Sequence, residues 1–362
     1  MKETDILIVG QGIAGTVLSQ VLEDKGLKVH VLDNDYKTSC STIAAGIYHP
    51  FVFKNFGFAW HSNEFIENAV SFYQKSEKLL GVAFHFEEDF YRIFKDMEEQ
   101  NNWFAASENN SYKKYFTDEL TNLPGVNAPF GSAKAKAYRV DLPIYLSAYK
   151  SYLIKQNAYT KTEFDFCRLN LFSKNKKCGN YNDEIKFKKI IFCEGHKFVS
   201  NPFFNYLPAN LTKGEILHIN SSKLHPSGII NKGCFLLALK NNKYIAGATY
   251  DWKSLDYNTT YEAREELVQK VGDIYSAQYD ISHQYAGIRP TIPDRKPLIG
   301  VHPNYNNVYL FNGLGSKGVM MAPLLARNFY HFVFEDEPLP PEINITRFEK
   351  KHFPKWAPPP FL

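Results

Sequence analysis

The opening of the chain, residues 1–35, limits the fold more than any other stretch. An apolar run, Ile6-Leu7-Ile8-Val9, leads into Gly10-Gln11-Gly12-Ile13-Ala14-Gly15. Apolar residues then recur at helical spacing (Ile13, Val17, Leu18, Val21, Leu22), Lys25-Gly26 interrupts them, and Val29-His30-Val31-Leu32-Asp33 follows. The pattern predicts a strand, a tight turn, a helix and a second parallel strand ending on an acid. Gly10 lets the chain leave the strand sharply, Gly12 lets a pyrophosphate approach the backbone, and Gly15 lets the helix lie close on the sheet. The phosphates would face the helix N-terminus at Ile13 and Ala14, where free N–H groups point outward. Asp33 stands twenty-three residues after Gly10. A carboxylate there accepts both hydroxyls of an adenosine ribose and repels a 2′-phosphate, which argues against NADP. A nucleotide-free unit of the same topology explains Gly10 and Gly15 but leaves Gly12 and Asp33 without a task.

With 362 residues the chain can form two domains, or one large domain with an insertion. Aromatic residues make up 15 %, which points to thick aromatic packing and a pocket suited to flat ligands. The net charge of +4 is too small to indicate a nucleic-acid binder. The cysteines (Cys40, Cys167, Cys178, Cys193, Cys234) are scattered, with no zinc spacing, so no metal is expected and a reduced, cytoplasmic compartment fits. The first strand begins too early to leave room for a signal peptide, and no stretch of about twenty apolar residues spans a membrane.

Further along, 34–41 is a polar loop, and 42–50 (Thr42-Ile43-Ala44-Ala45-Gly46-Ile47-Tyr48-His49-Pro50) is rich in small residues against which something flat can lie. Asn34, Ser41, Thr42, Ala45 and Gly46 are therefore assigned to the cofactor. Residues 62–80 keep helical spacing and end at Gly81. Residues 82–138 mix short aromatic strands (84–86, 90–94) with Asn-rich loops and read as an insertion with its own sheet. A helix is expected at 141–156. Strands are expected at 164–171 and 185–187, about a Lys/Asn turn at 173–183. The run Ile190-Ile191-Phe192-Cys193 closes on Glu194-Gly195, a strand whose end, Gly195, touches the cofactor. Strands at 214–219, 234–239 and 244–249, a hairpin turn at 240–243 and a Thr-capped helix at 260–274 complete the insertion. The basic cluster at 174–189 reads as a solvated hairpin, and the proline-rich residues 338–362 as a surface tail.

A second glycine turn decides the cofactor. The apolar run 308–311 leads into Asn312-Gly313-Leu314-Gly315-Ser316-Lys317-Gly318 and then a helix at 319–334. Gly313, Gly315 and Gly318 repeat the strand, turn and helix N-terminus of the first motif. Two such turns in one chain point to a ligand longer than NAD. FAD fits, with its pyrophosphate at the first turn and its ribityl chain or ring carbonyl at Leu314, Gly315, Ser316, Lys317 and Gly318. There helix amides stabilise negative charge on a reduced flavin. A strand–helix corner that needs glycine for packing is the plainer alternative.

In this order, DILIVGQGIAG, STIAAGIYHP, IIFCEG, KGEIL, YIAGATYDW, AGIRPTIPDRKPLIG and NGLGSKGVMMAPLLA make the chain resemble the D-amino-acid oxidase superfamily of FAD-dependent amine oxidases and dehydrogenases. It is similar to the glycine and sarcosine oxidase branch, and to the oxidase domain of the bifunctional enzyme that builds methylaminomethyl groups on tRNA wobble uridine. The resemblance implies an α/β (α+β overall) fold. A discontinuous, Rossmann-like FAD domain (1–81, 138–206 and 289–362) would carry an inserted antiparallel-sheet substrate domain (82–137 and 207–288) roofing the flavin. It implies hydride transfer from an amine-bearing carbon to FAD, and electrons passed to oxygen or another acceptor. It places Arg289 on the substrate carboxylate, which a planar guanidinium grips through two parallel hydrogen bonds. An ion pair with a nearby Asp is the structural alternative.

Tyr250, at the end of a strand, either orients the amine or carboxylate or packs in an aromatic core. His49 is a flavin-face ligand, a base or a hydrogen-bond partner. Phe235 stands where relatives often carry a pocket tyrosine, which favours a larger or more apolar substrate than a simple amino acid. No cysteine precedes Ile292-Pro293-Asp294 at the position some relatives use for covalent attachment, so FAD is expected to be dissociable. The substrate is expected to be a small amine, an amino acid or N-substituted glycine. A carboxymethylaminomethyl group on a tRNA base is a variant, and a non-catalytic flavin-bearing binding module is the reading from another class.

Overall fold

The structure is a computed structural model and describes residues 1–35, 39–52, 57–58, 60–108, 113–171, 178–224 and 227–358. Parts of the expected Lys/Asn turn, the basic cluster, the 34–41 loop and the C-terminal tail lie outside the described residues.

Strand Lys2–Val9 lies at the middle of the first sheet, parallel to Val29–Asp33 on one side and to Ile185–Phe192 on the other. Ile6, Leu7 and Ile8 have no exposure. A parallel strand covered on both faces has no polar side to alternate with, which is why this run is continuously apolar. Tyr159–Lys161 extends the sheet beyond Val29–Asp33, and Tyr305–Asn312 lies parallel beside Ile185–Phe192, with Leu298–His302 antiparallel to it. The carboxyl ends Val9, Asp33, Phe192 and Asn312 thus share one edge of the sheet, the edge at which open α/β sheets bind ligands.

Helices Ile13–Asp24 and Gly318–Phe334 pack against each other, and Ser62–Leu80 packs on the latter. Pro323 lies inside Gly318–Phe334 and has no N–H to give to Val319 four residues back. The orphaned Val319 carbonyl accepts instead from the Tyr73 hydroxyl, 2.7 Å away and fully buried on Ser62–Leu80.

The second sheet runs in the order Asp280–Arg289, Thr212–Asn220, Lys243–Gly247, Cys234–Ala238, Ile229–Lys232, His85–Ile93, Ser132–Val140, Ile47–Tyr48, with Phe116–Leu120 also on Ser132–Val140. Its pairs are antiparallel except Ile229–Lys232 with His85–Ile93. Helix Tyr261–Ile274 covers one face through Ala263, Leu267, Val271 and Ile274. The other face, at Phe90, Ile216, Phe235 and Gly247, looks onto a cavity.

Several elements differ from the sequence expectation. The two short strands at 84–94 are one strand, His85–Ile93, and the two runs at 185–193 are one strand, Ile185–Phe192. Residues 164–171 form a 3₁₀ turn, Phe166–Arg168, and only a two-residue strand, Leu169–Asn170, because Asp165 caps the turn by accepting from the Cys167 N–H. Helix Met97–Ser107 arises where only loops and short strands were expected, capped by Asp96, whose carboxylate accepts from Glu99 N–H at 2.7 Å. The small-residue run contributes a short helix, Cys40–Ile43, and then Ile47–Tyr48 joins the second sheet.

Candidate active site

A cavity of about 770 Å³ opens between the carboxyl edge of the first sheet and the inner face of the second. Most of the residues singled out in the sequence border it. Gly10, Gly12, Ile13, Ala14, Asp33, Asn34, Ser41, Ala45, Gly46, His49, Gly195, Tyr250, Arg289, Leu314, Gly315, Ser316, Lys317 and Gly318 are on its wall. Gly15, Thr42 and Gly313 are not. Gly15 holds the helix to the strand, since a Cβ there would stand 1.9 Å from the Gly10 carbonyl oxygen. Thr42 donates to Ser39 within the cap of Cys40–Ile43. Gly313 has a left-handed φ of 71° and packs on Leu298.

At the first turn, Gly10 takes φ +102°, and a Cβ there would stand 2.6 Å from the Cys193 carbonyl oxygen, so only glycine lets the two strand ends meet. Helix Ile13–Asp24 has no side-chain cap from Gly12 and no acid in its first turn. Ser41 lies at this helix end, its hydroxyl accepting from the Ile13 N–H at 3.0 Å. Asp33 is fixed by two backbone donors, Gln11 N–H at 2.8 Å and Asp35 N–H at 2.6 Å.

At the second turn, Gly315 has φ +55° and open space where a Cβ would project. Asn312 ties this turn to the strand end at Gly195 by donating to its carbonyl at 3.0 Å. A Cβ on Gly318 would lie 3.4 Å from Ile13, so the two helix N-termini meet beside the cavity. The second helix also has no acid in its first turn and no side-chain cap. Lys317 borders the same space, and burial pulls its ammonium below the usual lysine range.

The donor set fits FAD. Gly195 and Gly315 face the cavity with nothing where a side chain would be, two helix N-termini without acids in their first turns would supply amides and, at the first, the Ser41 hydroxyl for anionic groups, and Asp33 would supply the ribose acceptor. When bound, the flavin supplies the acceptor for a hydride and its electron pair.

Arg289 ends strand Asp280–Arg289. Its guanidinium donates to the carbonyls of Lys213 (3.4 Å) and Thr249 (3.3 and 3.4 Å), and its Cζ lies 4.5 Å from the centre of the Tyr250 ring. It crosses the face of Gly214, where a Cβ would stand 2.1 Å from Nη2. Among the described residues no carboxylate forms an ion pair with it. Tyr250 lies three residues beyond the end of strand Lys243–Gly247, not on the strand, and is 58 % exposed. His49 packs against Phe51 and Phe90, its Nδ1 accepting from the Phe51 N–H, and burial drives its pKa down to about 3. That leaves the ring neutral and weakly basic, suited to a wall or hydrogen-bonding role more than to taking a proton. Phe235 lies on the wall and against Gly247.

Sequence reasoning gave no role to Glu194, His196 or Tyr257, which also border the cavity. Glu194 follows the strand end, accepts from the Asn201 amide at 2.6 Å, and is pushed up to about 7 by burial. His196 and Tyr257 share a hydrogen bond of 3.0 Å across the wall. Glu194 was adjacent to the flagged Gly195, but no pattern in the sequence tells a buried acid from a solvated one. A separate cluster, His331, Glu335 and Glu337, brings ligand atoms within 4.8 Å, but none of the three borders the cavity.

The fold and cavity define an FAD-dependent oxidoreductase. A sequence model of the DAO family, "FAD dependent oxidoreductase", matches residues 5–330, and the chain belongs to that family. It is 25 % identical over 162 residues to glycine oxidase of Pseudomonas aeruginosa, covering 43 % of this chain and 44 % of that protein. It is 22 % identical to the tRNA 5-methylaminomethyl-2-thiouridine biosynthesis bifunctional protein MnmC of Idiomarina loihiensis, covering 89 % of this chain and 54 % of that one. The chain thus spans about half the length of these curated relatives. The solved glycine oxidase of Geobacillus kaustophilus superposes with a TM-score of 0.77 at 15 % identity, over 93 % of this chain and 96 % of that one. Among the described residues no helix is long and apolar enough to cross a membrane.

Proposed function

We propose that this oxidoreductase acts on an amine that carries a carboxylate, an amino acid or an N-substituted glycine, removing a hydride from the carbon beside nitrogen. The observation that carries the reading is Arg289. Its guanidinium borders the cavity, is oriented by two backbone carbonyls and a tyrosine ring, and has no acidic partner among the described residues. A cation held this way is available to a substrate carboxylate, and a bidentate grip fixes which C–H faces the flavin. The neighbouring walls are apolar or aromatic (Phe90, Ile216, Phe235, Tyr48) and exclude water around the reacting carbon. No acid–base dyad is required, because the bound cofactor carries the chemistry and the protein supplies position.

Anaerobic mixing of the holoprotein with glycine, sarcosine and N-benzylglycine tests this. Bleaching of the flavin by at least one is the expected result, and a panel that leaves it oxidised overturns the reading. Arg289→Gln is expected to lower kcat/KM for the active substrate by roughly 10- to 100-fold, the cost of a charge-assisted pair, while the protein stays yellow. A carboxymethylaminomethyl uridine is itself an N-substituted glycine, and Arg289 would serve it unchanged. The net charge of +4 gives a tRNA substrate little electrostatic support.

A further inference from the structure

Beside Arg289 the chain leaves strand Lys243–Gly247 and runs as a strap before helix Tyr261–Ile274 begins. The strap is pinned at several points. Asp251 bridges to Lys213 through two backbone hydrogen bonds, Lys213 N–H to Asp251 O (2.8 Å) and Asp251 N–H to Lys213 O (2.9 Å). The Asp251 carboxylate accepts from the N–H groups of Lys253 and Ser254, closing a turn around Trp252. The Lys213 ammonium, 1 % exposed, reaches Asp256 at 2.7 Å. Tyr257 bonds His196, which also borders the cavity, and Glu215 holds Thr260 through both its N–H and its hydroxyl.

A segment anchored this firmly nonetheless presents large rings to solvent. Tyr250 is 58 % and Trp252 56 % exposed, stacked with centroids 6.2 Å apart at 24°. Tyr250 is also the ring that lies over the Arg289 guanidinium and borders the cavity. Guanidinium, phenol and indole therefore form one continuous surface leading from the carboxylate-binding group to the outside. Tyr and Trp offer a broad apolar face with a polar edge, the combination enriched where proteins meet other molecules.

Resting on the function proposed above, we infer that Tyr250 and Trp252 form a stacking platform for a planar aromatic ring carried on the substrate nitrogen. Trp252 is then a specificity residue that favours arylmethyl over small alkyl N-substituents. The carboxylate stays on Arg289, the reacting carbon stays inside, and the ring lies outward along the strap. The pinned backbone lowers the ordering cost of that contact.

The test compares N-benzylglycine with sarcosine in the holoprotein and in Trp252→Ala and Trp252→Phe. The wild type is expected to show a KM for N-benzylglycine roughly three- to tenfold below that for sarcosine. Trp252→Ala is expected to abolish that preference and Trp252→Phe to keep most of it. A preference that survives Trp252→Ala, or that is absent in the wild type, overturns the platform. A turnover-independent arm titrates the flavin absorption with benzylthioacetate and methylthioacetate, which carry the carboxylate but no amine. Tighter binding of the benzyl compound, lost in Trp252→Ala, supports the platform even if no amine bleaches the flavin. Equal binding of the two overturns it, even if amine oxidation succeeds.

Discussion

Gly15 and Glu194 show how single residues hold the cofactor wall in shape. A methyl group on Gly15 meets the Gly10 carbonyl oxygen at 1.9 Å, and because that neighbour is backbone there is no cheap relief. Gly15→Ala is expected to lift helix Ile13–Asp24 off the strand and to weaken FAD binding by roughly tenfold or more, read by flavin fluorescence after dialysis. Glu194 gives a pH dependence. Burial raises its carboxyl from 4.5 to about 7 against the opposing pull of Asn201 and Lys197. Between those limits the native protein holds a proton that the unfolded chain has released. The contribution of this carboxyl to stability is therefore full below about pH 4.5 and is lost as pH rises through 7, by on the order of 3 kcal/mol. Urea unfolding of the apoprotein across that range should show the decline, and Glu194→Gln should flatten it. The role of Gly15 could be read from its spacing. The shift at Glu194 could not, because it depends on residues that meet only in the folded state.

Among the elements, helix Gly318–Phe334 carries the most instructive irregularity. Pro323 breaks its hydrogen-bond ladder, and a hydroxyl from a neighbouring helix repairs it. Tyr73→Phe should leave the Val319 carbonyl buried and unpaired, costing about 1–3 kcal/mol of unfolding free energy, read from a lowered urea midpoint, with helix content unchanged. The helices at 62–80, 141–156, 260–274 and 319–334 were legible to within a residue because apolar stripes recur in all four, Asp141 and Thr260 cap two of them, and Gly81 ends a third. Strand Ser132–Val140 was legible and overlooked: Ala133, Ala135 and Ala137 face inward while Lys134 and Lys136 alternate outward with ion pairs to Asp89 and Glu87. Helix Met97–Ser107 was not legible, since its burial rests mainly on Trp103 and on Glu99, which is held by Arg92 from another element.

For the molecule as a whole, the sequence showed two glycine turns, one expected to take a pyrophosphate and the other a ribityl chain or ring carbonyl, but could not show that they touch. Strand Ile185–Phe192 pairs in parallel with Lys2–Val9 on one side and Tyr305–Asn312 on the other, so the turns that follow the outer two strands come together, Gly318 against Ile13, and Asn312 bonds to Gly195. Pairing between segments so distant along the chain leaves no local signature. It also has a consequence for biosynthesis. About three hundred positions separate residue 15 from residue 314, so a ribosome needs roughly 15–60 s to emit the second wall after the first. During that interval the amino-terminal corner has no facing half, so a vitamin-derived group held by both corners would be captured only after translation has passed the last glycine of the second.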